Sequence, residues 1–165
     1  MTPVPGAGSD IFLDANIFLH IILENPSHAD SCTALLEHIE SGHYRGISSI
    51  IVLSEVFHRT FISDVVASFR IEPSSAPAYI KKHVELFQKL PRAYESISTI
   101  KQMHNIRISD ISSNTLDQAL VISKKYSLLL NDALHIAVMR EQEINCIATY
   151  DRDFERVPGI MITKP

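Results

Sequence analysis

The stretch Ile11-Phe-Leu-Asp-Ala-Asn-Ile-Phe18 decides how the rest of the chain is read. Ile11 to Ala15 is a short apolar run that closes on an acid, the pattern of a buried strand. Asn16 then opens an apolar stretch, Ile17 to Leu23, that suits a short helix. A carboxylate set among Phe12, Leu13, Ala15 and Ile17 has little water near it and no basic neighbour in sequence. Burying such a charge is costly, so Asp14 is hard to dismiss as an ordinary surface acid.

Working outward, Pro26 and Ser27 break the first helix, and residues 29–41 carry Cys32, Leu35, Leu36 and Ile39 at helical spacing before Gly42 closes that segment. Tyr44 to Ile47 reads as a second strand, and Ser48 or Ser49 caps a helix from Ile50 to about Phe61. Pro73, Pro77 and Pro91 punctuate the next segment, within which Tyr79 to Leu90 reads as one amphipathic helix. Asn105 to Ile108 is a third strand, and Ser112 or Ser113 caps a helix reaching Tyr126. Asn131 is expected to cap a helix from Asp132 to Gln142, followed by strands at 145–149 and 160–163. Strands alternating with helices predict an α/β fold with a mainly parallel sheet of about five strands. Residues 1–10, rich in Pro and Gly, read as a flexible lead-in, and residues 11–165 as a single domain.

Composition narrows the class. A chain of 165 residues with 45% hydrophobic and 21% charged residues suits one soluble globular domain with a sizeable core. No stretch reaches the roughly 18 apolar residues that cross a bilayer. The opening residues lack both the basic and the apolar part of a signal peptide, so a cytoplasmic protein with no membrane partner is expected. Cys32 and Cys146 have no CxxC spacing and read as buried free thiols. A formal net charge of −4 speaks against simple duplex binding by charge, but not against an enzyme that reaches phosphate through a metal ion.

Acids fall where such an ion would be needed. Ligands in an open parallel sheet bind outside the carboxyl ends of the strands. Asp14 ends the first strand, Asp151 and Asp153 follow the fourth, Asp132 opens a helix, and Glu55 lies in the helix after the second strand. Each has an ordinary alternative: Asp132 as a helix-dipole partner, Asp151 and Asp153 as turn residues, Glu55 as a solvated helix residue. If they converge, two carboxylates ~5 Å apart repel by roughly 3 kcal/mol at an effective dielectric of about 20. Such a cluster takes up protons or binds a cation, and oxygen-only ligation selects Mg²⁺ or Mn²⁺. Arg59 and Arg152 lie near these acids in sequence and are candidates for contacting phosphate, whereas Lys81, Lys82, Lys89 and Arg92 read first as a solvated face.

Other chemistries lack support. The eight His form no HxH or HExxH pattern, although His58 and His135 each follow a candidate acid by three residues and so share its helix face. No GxGxxG, GxxxxGK[ST] or GxSxG occurs, and Ala15 and Asn16 follow Asp14 where a DxD phosphatase needs its second acid.

Four segments together resemble the PIN domain family, and within it the VapC-type toxins of toxin–antitoxin pairs. They are Phe12-Leu-Asp-Ala-Asn-Ile-Phe18, Ser48-Ser-Ile-Ile-Val-Leu-Ser-Glu-Val56, Leu130-Asn-Asp-Ala-Leu-His-Ile-Ala137 and Ala148-Thr-Tyr-Asp-Arg-Asp-Phe154, with Val157-Pro-Gly-Ile-Met161 fitting the tail. The resemblance implies a three-layer α/β/α fold. It implies that Asp14, Glu55, Asp132 and Asp151 are the catalytic carboxylates that bind one or two divalent ions, with Asp153 assisting and Asn16 orienting the site or touching phosphate. It implies endonucleolytic cleavage of single-stranded RNA by a metal-activated water, leaving a 5′-phosphate and a 3′-hydroxyl, and a homodimer restrained by a cognate antitoxin. A housekeeping nuclease of RNA maturation and a non-catalytic binding module of the same fold are the alternatives. Tyr150 and the segment from about Asp64 to Met103 depart from the family pattern, the latter as an added helical pair or a lid.

Overall fold

The computed structural model of the chain describes residues 5–165. Five strands form one sheet in the order β3-β2-β1-β4-β5, every pairing parallel. They are β1 (Asp10–Leu13), β2 (Arg45–Ser49), β3 (Ile106–Ser109), β4 (Cys146–Ala148) and β5 (Met161–Thr163). Between β1 and β2 lie α1 (Ala15–Ile22) and α2 (Ala29–Glu40), and between β2 and β3 lie α3 (Ile50–Phe69), α4 (Ala76–Lys82), α5 (Leu86–Lys89) and α6 (Arg92–Gln102). The pair α7 (Ser113–Tyr126) and α8 (Leu130–Glu141) leads from β3 back across the sheet to β4. Parallel crossovers are right-handed, so the outward run β1-β2-β3 and the return to β4 put their helices on opposite faces, giving the three-layer α/β/α fold.

The central strand is the most buried: Ile11, Phe12 and Leu13 are fully enclosed, with Ile17 and Phe18 of α1 beneath them. Of the expected lead-in, residues 1–4 lie outside the described part. Gly8 N–H donates to His43 O at 2.7 Å, and Asp10 already belongs to β1.

The sheet leaves no room for a side chain at Gly46. A Cβ there would stand 3.1 Å from Ile106 Cγ1 and Leu13 Cδ1 and 3.2 Å from Ile39 Cγ2. Overpacking of this kind costs roughly 1–3 kcal/mol. Gly46→Ala is therefore expected to lower the thermal midpoint by several degrees, read by circular dichroism, with the secondary structure retained.

Several elements differ from the sequence reading. The helix expected to end near Phe61 continues to Phe69, because Phe61 and Val65 stay on one face and bury in a second apolar cluster with Ala76, Leu86 and Ala93. It stops where Arg70 turns left-handed at φ 52°. The single helix expected over Tyr79 to Leu90 is two short ones, broken at His83 (φ −128°, ψ 64°). The break turns Leu86 into the second cluster while Val84 points outward. Asp64 in the second half of α3 pairs with Arg92 at the start of α6 at 2.6 Å, so that arginine is engaged in the fold. The segment from Asp64 to Met103 is thus a helical extension with its own small core.

Candidate active site

Strand order reverses direction at β1: the chain leaves it toward β2 and later returns to its other side at β4. Such a switch point opens a crevice at the carboxyl ends of the two strands. Leu13 pairs with Ala148, so the residues that follow them, Asp14 and Thr149, face each other across the crevice floor.

Asp14 is 7% exposed and is held from several sides. Its Oδ1 accepts from the Ala15 N–H at 2.6 Å, which makes Asp14 the cap of α1. Its Oδ2 accepts from Asn16 Nδ2 and from the Thr149 hydroxyl, each at 2.6 Å. Asn16 Nδ2 also donates to Thr149 Oγ1 at 2.9 Å, and its Oδ1 accepts from the Tyr150 N–H at 3.4 Å. Burial pushes the Asp14 carboxyl above its usual range; the Thr149 and Ala15 donors pull it back, and the charge of Asp151 adds to the rise.

Asp132, Asp151 and Asp153 each bring a carboxylate oxygen within 4.8 Å of the others. They line a cleft of about 490 Å³ together with Glu55, Leu129, Leu130 and Asn131. The Asp132 carboxyl is pushed up to about 6, first by burial and then by the charges of Asp151, Asp14, Asp153 and Glu55. All five acids read from the sequence therefore act on one centre, three of them as a close cluster and Asp14 and Glu55 at its margins. Asp151 is at once a turn residue and a member of the close acid cluster: its Oδ1 accepts from the Asp153 N–H at 2.8 Å, while the Thr149 hydroxyl oxygen accepts from the Asp151 N–H at 3.0 Å.

Asn131 does not cap its helix. The cap is Leu129, in extended backbone with no side-chain hydrogen bond, and α8 begins at Leu130. The uncapped amide end of α8 stands at the acidic cleft, where its partial positive charge favours anionic groups.

The cations differ in their freedom. Arg59 Nη1 lies 3.5 Å from Glu55 Oε1, an exposed pair one helical turn apart that contributes little stability. Arg152 is exposed at the rim. Arg156, which the sequence reading passed over, pairs with Asp153 Oδ1 at 2.8 Å and donates to Ser127 O at 2.8 Å. Thr149 was passed over as well, although a hydroxyl at the carboxyl end of an otherwise apolar strand is a readable signal. Cys32 and Cys146 are buried free thiols, and burial pushes both up to about 11.

The PIN domain family matches residues 11–160. The chain belongs to the PIN domain family. Within it, this PIN domain is 29% identical to Ribonuclease VapC6 of Methanocaldococcus jannaschii, over 94% of this chain and 97% of that relative. It is 29% identical to Ribonuclease VapC2 of the same organism, over 92% of this chain and 91% of that one. Among solved structures it superposes on VapBC2 from Rickettsia felis, bound to a promoter DNA fragment, with a TM-score of 0.60 at 17% identity, covering 93% of this chain and 97% of that one. Mycobacterium tuberculosis VapC20, described as a Sarcin-Ricin loop cleaving toxin, gives 0.58 at 18% identity, covering 88% of this chain and 92% of that one. At these identities the structural likeness speaks for the fold of the PIN domain.

Proposed function

We propose that this PIN domain is a divalent-metal-dependent endoribonuclease that hydrolyses phosphodiester bonds in single-stranded RNA, as the toxin of a VapBC-type pair held by a cognate antitoxin. One observation carries the reading: three carboxylate oxygens within 4.8 Å of one another, in a cleft at the sheet's switch point. The names of the VapC ribonucleases that it resembles along almost their whole length support it.

The donor set fits a hard cation. Asp132, Asp151 and Asp153 offer oxygen only, which suits Mg²⁺ or Mn²⁺ and disfavours zinc. Asp14 and Glu55 flank these three and add negative charge to the centre. A bound divalent cation would supply positive charge to the phosphodiester and acidify an attacking water. The protein's own part is positional. Thr149 and Asn16 fix Asp14, Arg156 steadies Asp153, and the α8 amide end faces the incoming phosphate. Arg59 and Arg152 are exposed cations that can hold flanking phosphates of the strand. One carboxylate of the cluster accepts the proton of the water.

The same reading assigns the protein to the cytoplasm; no helix among the described residues is long and apolar enough to cross a membrane. Leu116, Leu120, Val121 and Leu129 leave an exposed apolar face along α7 and the entry to α8, which supports self-association as a homodimer.

The test is end-labelled single-stranded RNA incubated with Mn²⁺, Mg²⁺ or EDTA. The expected result is cleavage with either metal and none with EDTA, with products ending in 5′-phosphate and 3′-hydroxyl. Cleavage that persists in EDTA, or products with 2′,3′-cyclic ends, would refute the mechanism.

A further inference from the structure

His135 is a fully enclosed polar side chain on α8 to which the chemistry of the cleft gives no task. It is 1% exposed, and neither ring nitrogen has a hydrogen-bond partner. An unsatisfied buried polar group costs roughly 1–3 kcal/mol, more than an apolar residue of similar size would in the same place. The ring is clamped between two aromatic side chains, with centroids 5.3 Å from Phe12 and 6.4 Å from Phe154. Phe12 belongs to the strand that delivers Asp14, and Phe154 directly follows Asp153. On α8 itself His135 lies one turn below Asp132, on the same face.

Asp14 has one position left for such a ring. Its Oδ2 already accepts two hydrogen bonds and its Oδ1 one, from Ala15. His135 Nε2 stands 3.9 Å from Oδ1. That is beyond a formed hydrogen bond, yet close enough for a neutral N–H to act on a carboxylate oxygen in a dry interior.

We propose that His135 is a positioning residue for metal binding: its ring, presenting Nε2–H to Asp14 Oδ1, fixes the direction in which Asp14 faces the carboxylate cleft. The inference rests on the metal-dependent reading of that cleft. Phe12 and Phe154 hold the ring plane, and the ring in turn holds the one oxygen of Asp14 that no side-chain hydroxyl or amide restrains. Donors of this kind set the geometry of metal-facing ligands, and their removal commonly costs about 10–100-fold in metal affinity or activity.

The test compares His135→Leu and His135→Gln with the wild type by Mn²⁺ calorimetry, thermal melts without metal and single-turnover RNA cleavage at saturating Mn²⁺. His135→Leu is expected to melt at or above the wild-type temperature, since it removes two unsatisfied nitrogens, and yet to bind Mn²⁺ or cleave about 10-fold more weakly. His135→Gln, whose amide N–H can reach the same oxygen, is expected to recover most of that loss. A stable His135→Leu with wild-type Mn²⁺ affinity and cleavage overturns the proposal. If His135→Leu does not fold, the glutamine variant decides: wild-type-like function supports the proposal, and a loss of about 10-fold or more in a stable protein overturns it. A wild type that binds no Mn²⁺ at all would instead sink the metal-dependent reading beneath it.

Discussion

Asp132→Asn is expected to raise the thermal midpoint of the metal-free protein near neutral pH and to abolish most of the stabilisation that Mn²⁺ gives the wild type. The two effects share one cause. Burial and four neighbouring acids push the Asp132 carboxyl from 3.8 up to about 6. A carboxyl whose pKa is higher folded than unfolded favours the folded state while protonated, and that contribution is lost as pH rises through the folded value. Near neutral pH the wild type therefore carries an ionised Asp132 that the fold disfavours, and asparagine keeps the shape without the charge. Discounted for a carboxyl that is only half-buried, the relief is about 1 kcal/mol, or about 2–4 °C. The wild type should also lose stability between about pH 4 and pH 7 without metal, and the variant should show a flatter profile over that range. Added Mn²⁺ reverses the order. At a concentration about 100 times its dissociation constant, a ligand stabilises by about 2.7 kcal/mol, and Asp132→Asn removes one of the three close carboxylates. Differential scanning fluorimetry across pH, with and without Mn²⁺, reads both effects. A variant that melts lower without metal, or that gains as much from Mn²⁺ as the wild type, would contradict this account of the cleft.

Thr149→Val acts in the opposite direction on stability and in the same direction on activity. The Thr149 hydroxyl is the hub of the crevice floor: it donates to Asp14 Oδ2 at 2.6 Å and accepts from Asn16 Nδ2 at 2.9 Å and from the Asp151 N–H at 3.0 Å. Valine matches its shape and offers none of these. The variant leaves a buried carboxylate short of a donor and an amide short of an acceptor, each worth about 1–3 kcal/mol. Partial relaxation should bring the total to about 2–4 kcal/mol, a fall of several degrees in the thermal midpoint. Cleavage should fall about 10–100-fold even at saturating Mn²⁺, because Asp14 and Asp151 lose their common tether. Thr149→Ser, which keeps the hydroxyl, should restore most of both. A Thr149→Val protein as stable and active as the wild type would mean that Asn16 and the Ala15 N–H suffice to hold Asp14.

Why the sequence disclosed some of this and not the rest is a matter of range. Ile11 to Leu13 disclosed a buried strand because burial on both faces leaves no polar residue in the run. Asp14 stood out for the same reason: a carboxylate at the end of that run needs a partner. The length of α3 was underestimated because Phe61 and Val65 bury against Leu86 and Ala93, residues far along the chain that local periodicity does not reveal. The break at His83 was missed because Tyr79 to Leu90 is amphipathic on average, whereas its apolar residues divide between two directions once the second cluster forms. Asn131 suits a cap by residue type, but the helix begins one residue before it at Leu130, with its amide end at the cleft. At the site, the acids were legible as residues and as an order. Their tethers were not: Thr149 reaches Asp14 across 135 positions, a contact made by the pairing of β1 with β4. Asp153 meets Arg156 only three residues on because Asp153–Arg156 forms a short 3-10 helix, which brings i and i+3 onto one face and which a four-residue stretch does not announce by periodicity.

The most direct test of the central claim, that the acid cluster is a catalytic centre, is single-turnover cleavage of a labelled single-stranded RNA at saturating Mn²⁺ by the wild type and by Asp132→Asn. Folding of both is verified by circular dichroism. Removing a charged group that holds the reacting centre should lower the rate by about 10³-fold or more, a loss of about 4 kcal/mol in transition-state stabilisation. A folded Asp132→Asn that cleaves at the wild-type rate would contradict the account.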